Sequence, residues 1–199
     1  HAYDCEPNFG FYMVMEWVQG ETLDAVLKRY QRFSFAQTMH IFEQLLSAIG
    51  YAHQLGVIHR DLKPENIFIC DGHVVVGDFD LVETTDIHND IDGTHGYVPP
   101  GIIGIKTYDA PPYNMKNLKQ DEFAIGMIFL QLLLNRPLMQ SLVLDNELSV
   151  HLLELRIQEL QGSKKYPDEL IEIVKGLLQM DHRRRFSFEE ALQKLSRIQ

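Results

Sequence analysis

The sequence is poor in cysteine, in tryptophan and in positive charge, and it has no long apolar run. Each shortage removes a class of protein. There are two cysteines, Cys5 and Cys70, without CxxC or metal-ligand spacing, which favours reduced thiols in a cytoplasmic protein strongly over a disulfide framework. Lys and Arg number 18 against 28 Asp and Glu, a formal net charge of -10, which argues against bulk binding to nucleic acid or anionic lipid. The one run of arginines, Arg183 to Arg185, is too short to reverse that reading. No stretch reaches membrane-spanning length, and the N-terminus has no signal-peptide pattern, so no membrane is expected for this segment. Nine histidines are scattered without the paired spacing of a metal site.

What is present is ordinary globular material. Of 199 residues, 45% are hydrophobic and 23% charged, enough to build one core. The opening residues read as two short strands around Pro7-Asn8, the second over Phe9 to Met15, with Gly20 breaking the pattern. Leu23, Val26, Leu27 and Tyr30 share one helical face. Ser34 with Gln37 forms a capping box before a long helix whose apolar face runs from Phe42 to Ala52, and Gly56 ends it. "NIFIC" and "HVVVG" flank Asp71-Gly72, the signature of a hairpin with a two-residue turn. Asp78 to Gly104 reads as a loop, and loops of that length inside a domain usually carry function. The rest reads as helix: Lys119 to Leu134 as an apolar central helix, then Asn146 to Glu159, Asp168 to Leu178 and Ser187 to Ser196, the last with a second capping box at Ser187 and Glu190.

The stretch "HRDLKPEN", His59 to Asn66, concentrates chemistry. Phosphoryl transfer needs a carboxylate to take a hydroxyl proton, a cation to screen the moving phosphoryl group, and oxygen ligands for Mg²⁺. Asp61, Lys63 and Asn66 are residues of those types, and Asp78, following the hairpin in "GDFD", is placed as a second metal ligand. A bare His-Arg-Asp is more often a surface ion cluster. The full octet with the Asp-Phe pair behind the hairpin is a far more specific signal.

These residues resemble the catalytic loop and the DFG motif of eukaryotic-type Ser/Thr protein kinases. "YMVMEWV" is similar to the hinge strand, "GTHGYVPPG" to the end of the activation segment, "DEFAIGMIF" to the central helix and "DHRRRFSFEEAL" to the final one. The resemblance implies an α+β, mainly α-helical fold. Residues 1–18 would be the remaining small-lobe strands and hinge, and 19–199 the large lobe, with an activation segment at about 78–101. It implies ATP and Mg²⁺ as cofactors and a protein substrate. By position, Asp61 is the catalytic base, Lys63 stabilises the γ-phosphate, Thr94 bonds near both, and Asn66 and Asp78 hold Mg²⁺. Met15 is the gatekeeper, Glu16 and Val18 offer backbone groups to adenine, and Phe68 lies under the base. His59 packs on Phe79, Asp121 braces the catalytic loop, and Ile128 and Leu132 support the column on the purine side.

The sequence departs from the family in three places. Asp80 stands where the DFG glycine is expected. Gly101 stands where a glutamate pairs with the arginine matching Arg185, so Arg185 must find another partner or face water. The chain opens without Met and already in a strand pattern, and the glycine-rich loop and strand lysine of the family are not in it. The expectation is therefore an upstream portion of the protein, poor phosphate transfer by these residues alone, and self-association through an exposed strand edge. Arg60, next to Asp61, implies a loop ordered by negative charge. Asp90 occupies the usual acceptor position, so a fixed carboxylate is expected to stand in for phosphate, with Thr84 and Thr85 as phosphosites. Pro64 to Ile105 contains no Lys or Arg, which favours basic substrates. The competing readings are a pseudokinase or interaction module, favoured by Asp80 and Gly101, and a small-molecule kinase, disfavoured by the long activation segment.

Overall fold

The structure is a computed structural model that describes residues 2–6, 10–29, 32–79, 96–99, 119–135 and 146–198. The expected Pro7-Asn8 turn lies outside these residues, as do Asp80, Thr84, Thr85, Asp90, Thr94 and Gly101. Strands β1 (Ala2–Glu6) and β2 (Gly10–Val14) pair antiparallel, with Ala2 opposite Val14 and Glu6 opposite Gly10. A second antiparallel sheet has the order β3 (Glu21–Thr22), β4 (Ile67–Cys70), β5 (His73–Val76). The remainder is helical: α1 (Leu23–Lys28), α2 (Phe35–Gln54), α3 (Gln120–Leu134), α4 (Asn146–Gly162), α5 (Asp168–Leu177) and α6 (Phe188–Leu195). The chain is mainly helical with small antiparallel sheets, as the sequence implies.

Local chemistry sets the boundaries. Ser34 and Gln37 close the capping box of α2, and Ser187 and Glu190 that of α6, each side chain satisfying a backbone N–H that the first helical turn leaves bare. Gly56 stops α2 with φ 79°. At the β4–β5 turn both Asp71 (φ 49°) and Gly72 (φ 84°) are left-handed, the geometry that matches the twist of the flanking strands. The side-chain amide of Gln44 on α2 holds that turn from outside. It donates to the Gly72 carbonyl at 3.1 Å and accepts from the Val74 N–H at 2.9 Å.

Strand β3 is a correction to the reading of Gly20 as a simple break. Glu21 pairs with Ile69 and Thr22 with Phe68, so the chain re-enters a sheet immediately after the glycine. A two-residue strand has no periodicity of its own; only the tertiary partner creates it. Gly20 makes the approach feasible, since a Cβ there would lie 2.4 Å from Cys70 Sγ and 2.7 Å from the Ile69 carbonyl oxygen.

Helix α3 is the core. Every residue from Gln120 to Leu133 is buried, which is what a helix apolar almost all round requires. Helices α2, α4 and α5 pack on it, α6 bridges α2 and α5, and the Phe42 ring lies against Phe129. Along α5, Gly176 sits beneath the Phe186 ring, whose atoms would be 2.1 to 2.6 Å from a Cβ at that position. The Gly176 carbonyl also accepts from Phe186 N–H at 3.0 Å, so the ring has no room to retreat. Gly176→Ala is expected to destabilise the protein by about 1–3 kcal/mol, read as a lower urea midpoint with unchanged slope.

Candidate active site

The segment from His59 to Asn66 connects α2 to β4 and contains little regular structure, so its shape comes from side chains reaching it from α3. The Asp121 carboxylate is fully buried and accepts three hydrogen bonds. The Arg60 N–H donates to Oδ1 at 2.9 Å, the His59 N–H to Oδ2 at 2.8 Å, and His53 Nε2 meets Oδ2 at 2.8 Å. Gln120 Nε2 donates to the Arg60 carbonyl at 2.8 Å. Arg60 is thereby gripped at both backbone polar groups, and it sits at φ 71°, a left-handed conformation that an arginine rarely adopts.

His59 ties this loop to the end of β5. Its Nε2 bonds the Gly77 carbonyl at 3.0 Å, and its Nδ1 accepts the Asp61 N–H at 3.3 Å, a pattern that the neutral Nε2–H tautomer satisfies. Its ring packs on Phe79 with centroids 4.5 Å apart, the contact the sequence implied. The Gly77 N–H donates to the Asn66 carbonyl at 2.9 Å, so the segment entering β4 and the segment leaving β5 are held together where Asn66 and Asp78 emerge.

Asp61, Lys63 and Asn66 are brought together. Lys63 Nζ lies 2.6 Å from Asp61 Oδ2. Asn66 Nδ2 donates to the Asp61 carbonyl at 3.0 Å and approaches its Oδ2 at 3.4 Å. With its NH₂ committed to Asp61, Asn66 keeps its amide oxygen, a pure acceptor, for a cation. Asp78 is exposed at φ 63°, a conformation Asp tolerates better than most residues. An amide oxygen and a carboxylate are the hard donors that Mg²⁺ takes, so the residues present fit that ion.

Elsewhere the expected site residues are placed as follows. Met15 and Glu16 follow β2 in an open segment, and Met15 is 55% exposed. The Val18 carbonyl accepts the Gly20 N–H at 3.0 Å. Phe68 is half-buried in β4, opposite Val75. Arg60 is buried, while its expected partner Asp90 lies outside the described residues, as do Thr84, Thr85 and Thr94. Ile128 and Leu132 are buried in α3.

Arg185 neither faces water nor is left to one acid. It is 1% exposed and donates to the carbonyl oxygens of Gln179 (2.9 Å), Lys119 (2.7 Å) and Met180 (3.3 Å). Its guanidinium lies 5.1 Å from the centroid of the Phe123 ring. Burial pushes its pKa down to about 10, against the attraction of Glu122 and Asp181.

His53, Gln120 and Glu122 are the residues that sequence reasoning missed. The available signal was "KQDE", four polar residues opening an otherwise apolar helix. Polar groups at a buried helix start must have partners or a reason. Glu122 is the odd one: burial raises its carboxyl to about 7, opposed by the neighbouring His53. Between its ordinary 4.5 and about 7, the folded protein holds a proton that the unfolded chain has released. This group therefore costs stability progressively as pH rises through that window, roughly 3 kcal/mol in all, and the cost is constant above it. Glu122→Gln is expected to remove that slope, so that urea unfolding at pH 8 shows the variant more stable than the parent, and at pH 4.5 about equal.

Sequence comparison shows the family to which this arrangement belongs. The family model described as the protein kinase domain matches residues 3–195. The chain belongs to that family. Its relatives include rat calcium/calmodulin-dependent protein kinase type 1B, 30% identical over 195 residues, with 92% of this chain and 53% of that protein covered. Human serine/threonine-protein kinase Sgk2 is 41% identical over 103 residues, 49% of this chain and 28% of that protein. The chain thus spans about half the length, or less, of these relatives. Among solved structures, a chain of the yeast RNA Pol II CTD kinase CTDK-1 complex superposes with a TM-score of 0.73 over 97% of this chain and 72% of its own, at 22% identity. That likeness speaks to fold alone.

Proposed function

We propose that the protein is an ATP- and Mg²⁺-dependent Ser/Thr protein kinase whose catalytic loop is His59 to Asn66. The observation that carries this reading is the joining of Asp61, Lys63 and Asn66 within hydrogen-bonding reach at the mouth of the β4–β5 hairpin. In the reaction, the hydroxyl oxygen of a substrate Ser or Thr forms a bond to the γ-phosphorus. The bond to the β–γ bridging oxygen breaks, ADP leaves, and the hydroxyl proton passes to Asp61. Lys63, already on Asp61 Oδ2, is placed to screen the transferring phosphoryl oxygens, and Thr94 is assigned to the same cluster. Asn66 and Asp78 hold Mg²⁺, which when bound neutralises phosphate charge. Met15, Glu16, Val18 and Phe68 are the adenine-side residues.

The substrate is a protein, with basic flanks favoured by the segment from Pro64 to Ile105 that lacks Lys and Arg. Asp90 is the fixed negative charge that orders the loop through Arg60, with Thr84 and Thr85 as added phosphosites. The location is cytoplasmic, in keeping with two cysteines and with described helices none of which is long and apolar enough to cross a membrane. Among the described residues β1 pairs with β2 alone, so its outer edge is assigned to self-association. A second reading, a non-catalytic interaction module, draws support from Asp80 and Gly101.

The test is phosphate transfer from labelled Mg-ATP by the full-length protein to itself and to a basic protein mixture. Asp61→Asn is expected to lower transfer about 100-fold or more. No transfer by the folded parent protein would favour the module instead. Asp90→Ala is expected to lower activity and to raise proteolytic nicking of the loop, and an unchanged variant would end the phosphate-mimic assignment.

A further inference from the structure

A groove of about 890 Å³ runs between the C-terminal half of α2 and α6, on residues the catalytic proposal does not use. Leu46, Tyr51, Phe188 and Leu192 supply apolar walls, and Glu122 and Glu189 are the charged lining residues; no Lys or Arg lines it among the described residues. Tyr51 is 63% exposed at the rim. Glu122 is 5% exposed, and its Oε2 is buried with no hydrogen-bond partner among the described residues. An unsatisfied buried carboxylate oxygen is costly, and here it belongs to a residue that lines the groove.

We infer that this groove is a docking site for a lysine side chain carried by a segment of a partner protein, with the Glu122 carboxylate turning its buried Oε2 out to meet the ammonium and the aliphatic stem against Tyr51 and Leu192. Three observations select that occupant. The charge complement is a cation. Oε2 is the one Glu122 oxygen buried without a partner among the described residues, and a single acceptor suits the point charge of an ammonium better than the two-pronged guanidinium. The lining runs from Leu46 to Gln54, roughly 12 Å along α2, which fits several residues of a peptide rather than a lone amine.

The Glu122 carboxyl is faced by His53 from α2, whose ring is on Asp121, by Lys119 and Asp121 from its own helix, by Arg185 from the loop before α6, and by Glu189 across the groove. With its carboxyl raised to about 7, Glu122 carries a proton in part of the population at neutral pH, and a bound ammonium displaces it. Docking therefore releases a fraction of a proton, a signature that apolar packing alone does not give.

The experiment is an array of 12-residue peptides with a fixed central lysine and varied flanks, probed with the full-length protein. The best binder is then measured by fluorescence anisotropy and by calorimetry at pH 7 in buffers of different ionisation heat. Expected are a loss of tenfold or more with acetyl-lysine, the same loss with Glu122→Gln, a weaker loss with Tyr51→Ala, and net proton release abolished by Glu122→Gln. Tyr51, being exposed, can be replaced without threatening the fold, so it keeps the test valid if the Glu122 variant is unsound. The proposal is overturned if no peptide binds, if the acetylated peptide or both variants bind as the parents do, or if n-butylammonium binds as tightly as the peptide. None of these outcomes depends on phosphate transfer, so they are independent of the kinase reading.

Discussion

One buried carboxylate organises the molecule. Asp121 has two oxygens, and between them they take the amide protons of His59 and Arg60 and the ring of His53. A charge at the start of a fully buried helix is tolerable only when such donors converge on it. The converse dependence is as strong. A loop without ladder hydrogen bonds has no shape of its own, and Arg60 would not remain left-handed without both Asp121 and Gln120. The central helix and the His59–Asn66 loop thus need one another: the loop discharges the polar burden of the helix, and the helix supplies the geometry of the loop.

Most of the helices could be read directly because their causes are local. Capping boxes at Ser34 and Ser187, the stop at Gly56 and the Asp71-Gly72 turn are each specified within a few residues, and the structure has all four. Strand β3 could not be read, because its cause is β4, nearly fifty residues away. The bracing of the His59–Asn66 loop divides in the same way. Asp121 was expected from the resemblance. His53 lies 68 residues from the carboxylate it meets, and Gln120 lies 60 residues from the carbonyl it holds, separations at which pattern reasoning has no purchase.

Arg185 shows how a fold absorbs a change of partner. Where a glutamate was expected, the chain has Gly101, and among the described residues the partners of the guanidinium include three backbone carbonyls and an aromatic face. Carbonyl dipoles are weaker than a carboxylate, yet several of them around a planar cation replace much of its lost hydration. This cage includes Lys119, the residue that precedes α3, so Arg185 secures the beginning of the helix that carries Gln120, Asp121 and Glu122.

The packing of α6 against the much earlier α2 has a consequence for synthesis. Helix α6 packs on α2, and Phe188 lies edge-on to His53 at 4.9 Å. During vectorial emergence from a ribosome, α2 and the His59–Asn66 loop appear long before the residues that enclose them. The loop is therefore made early and given its working shape late. Until α6 has emerged, a nascent chain leaves part of the apolar face of α2 uncovered, and this is the interval in which a chaperone has something to hold.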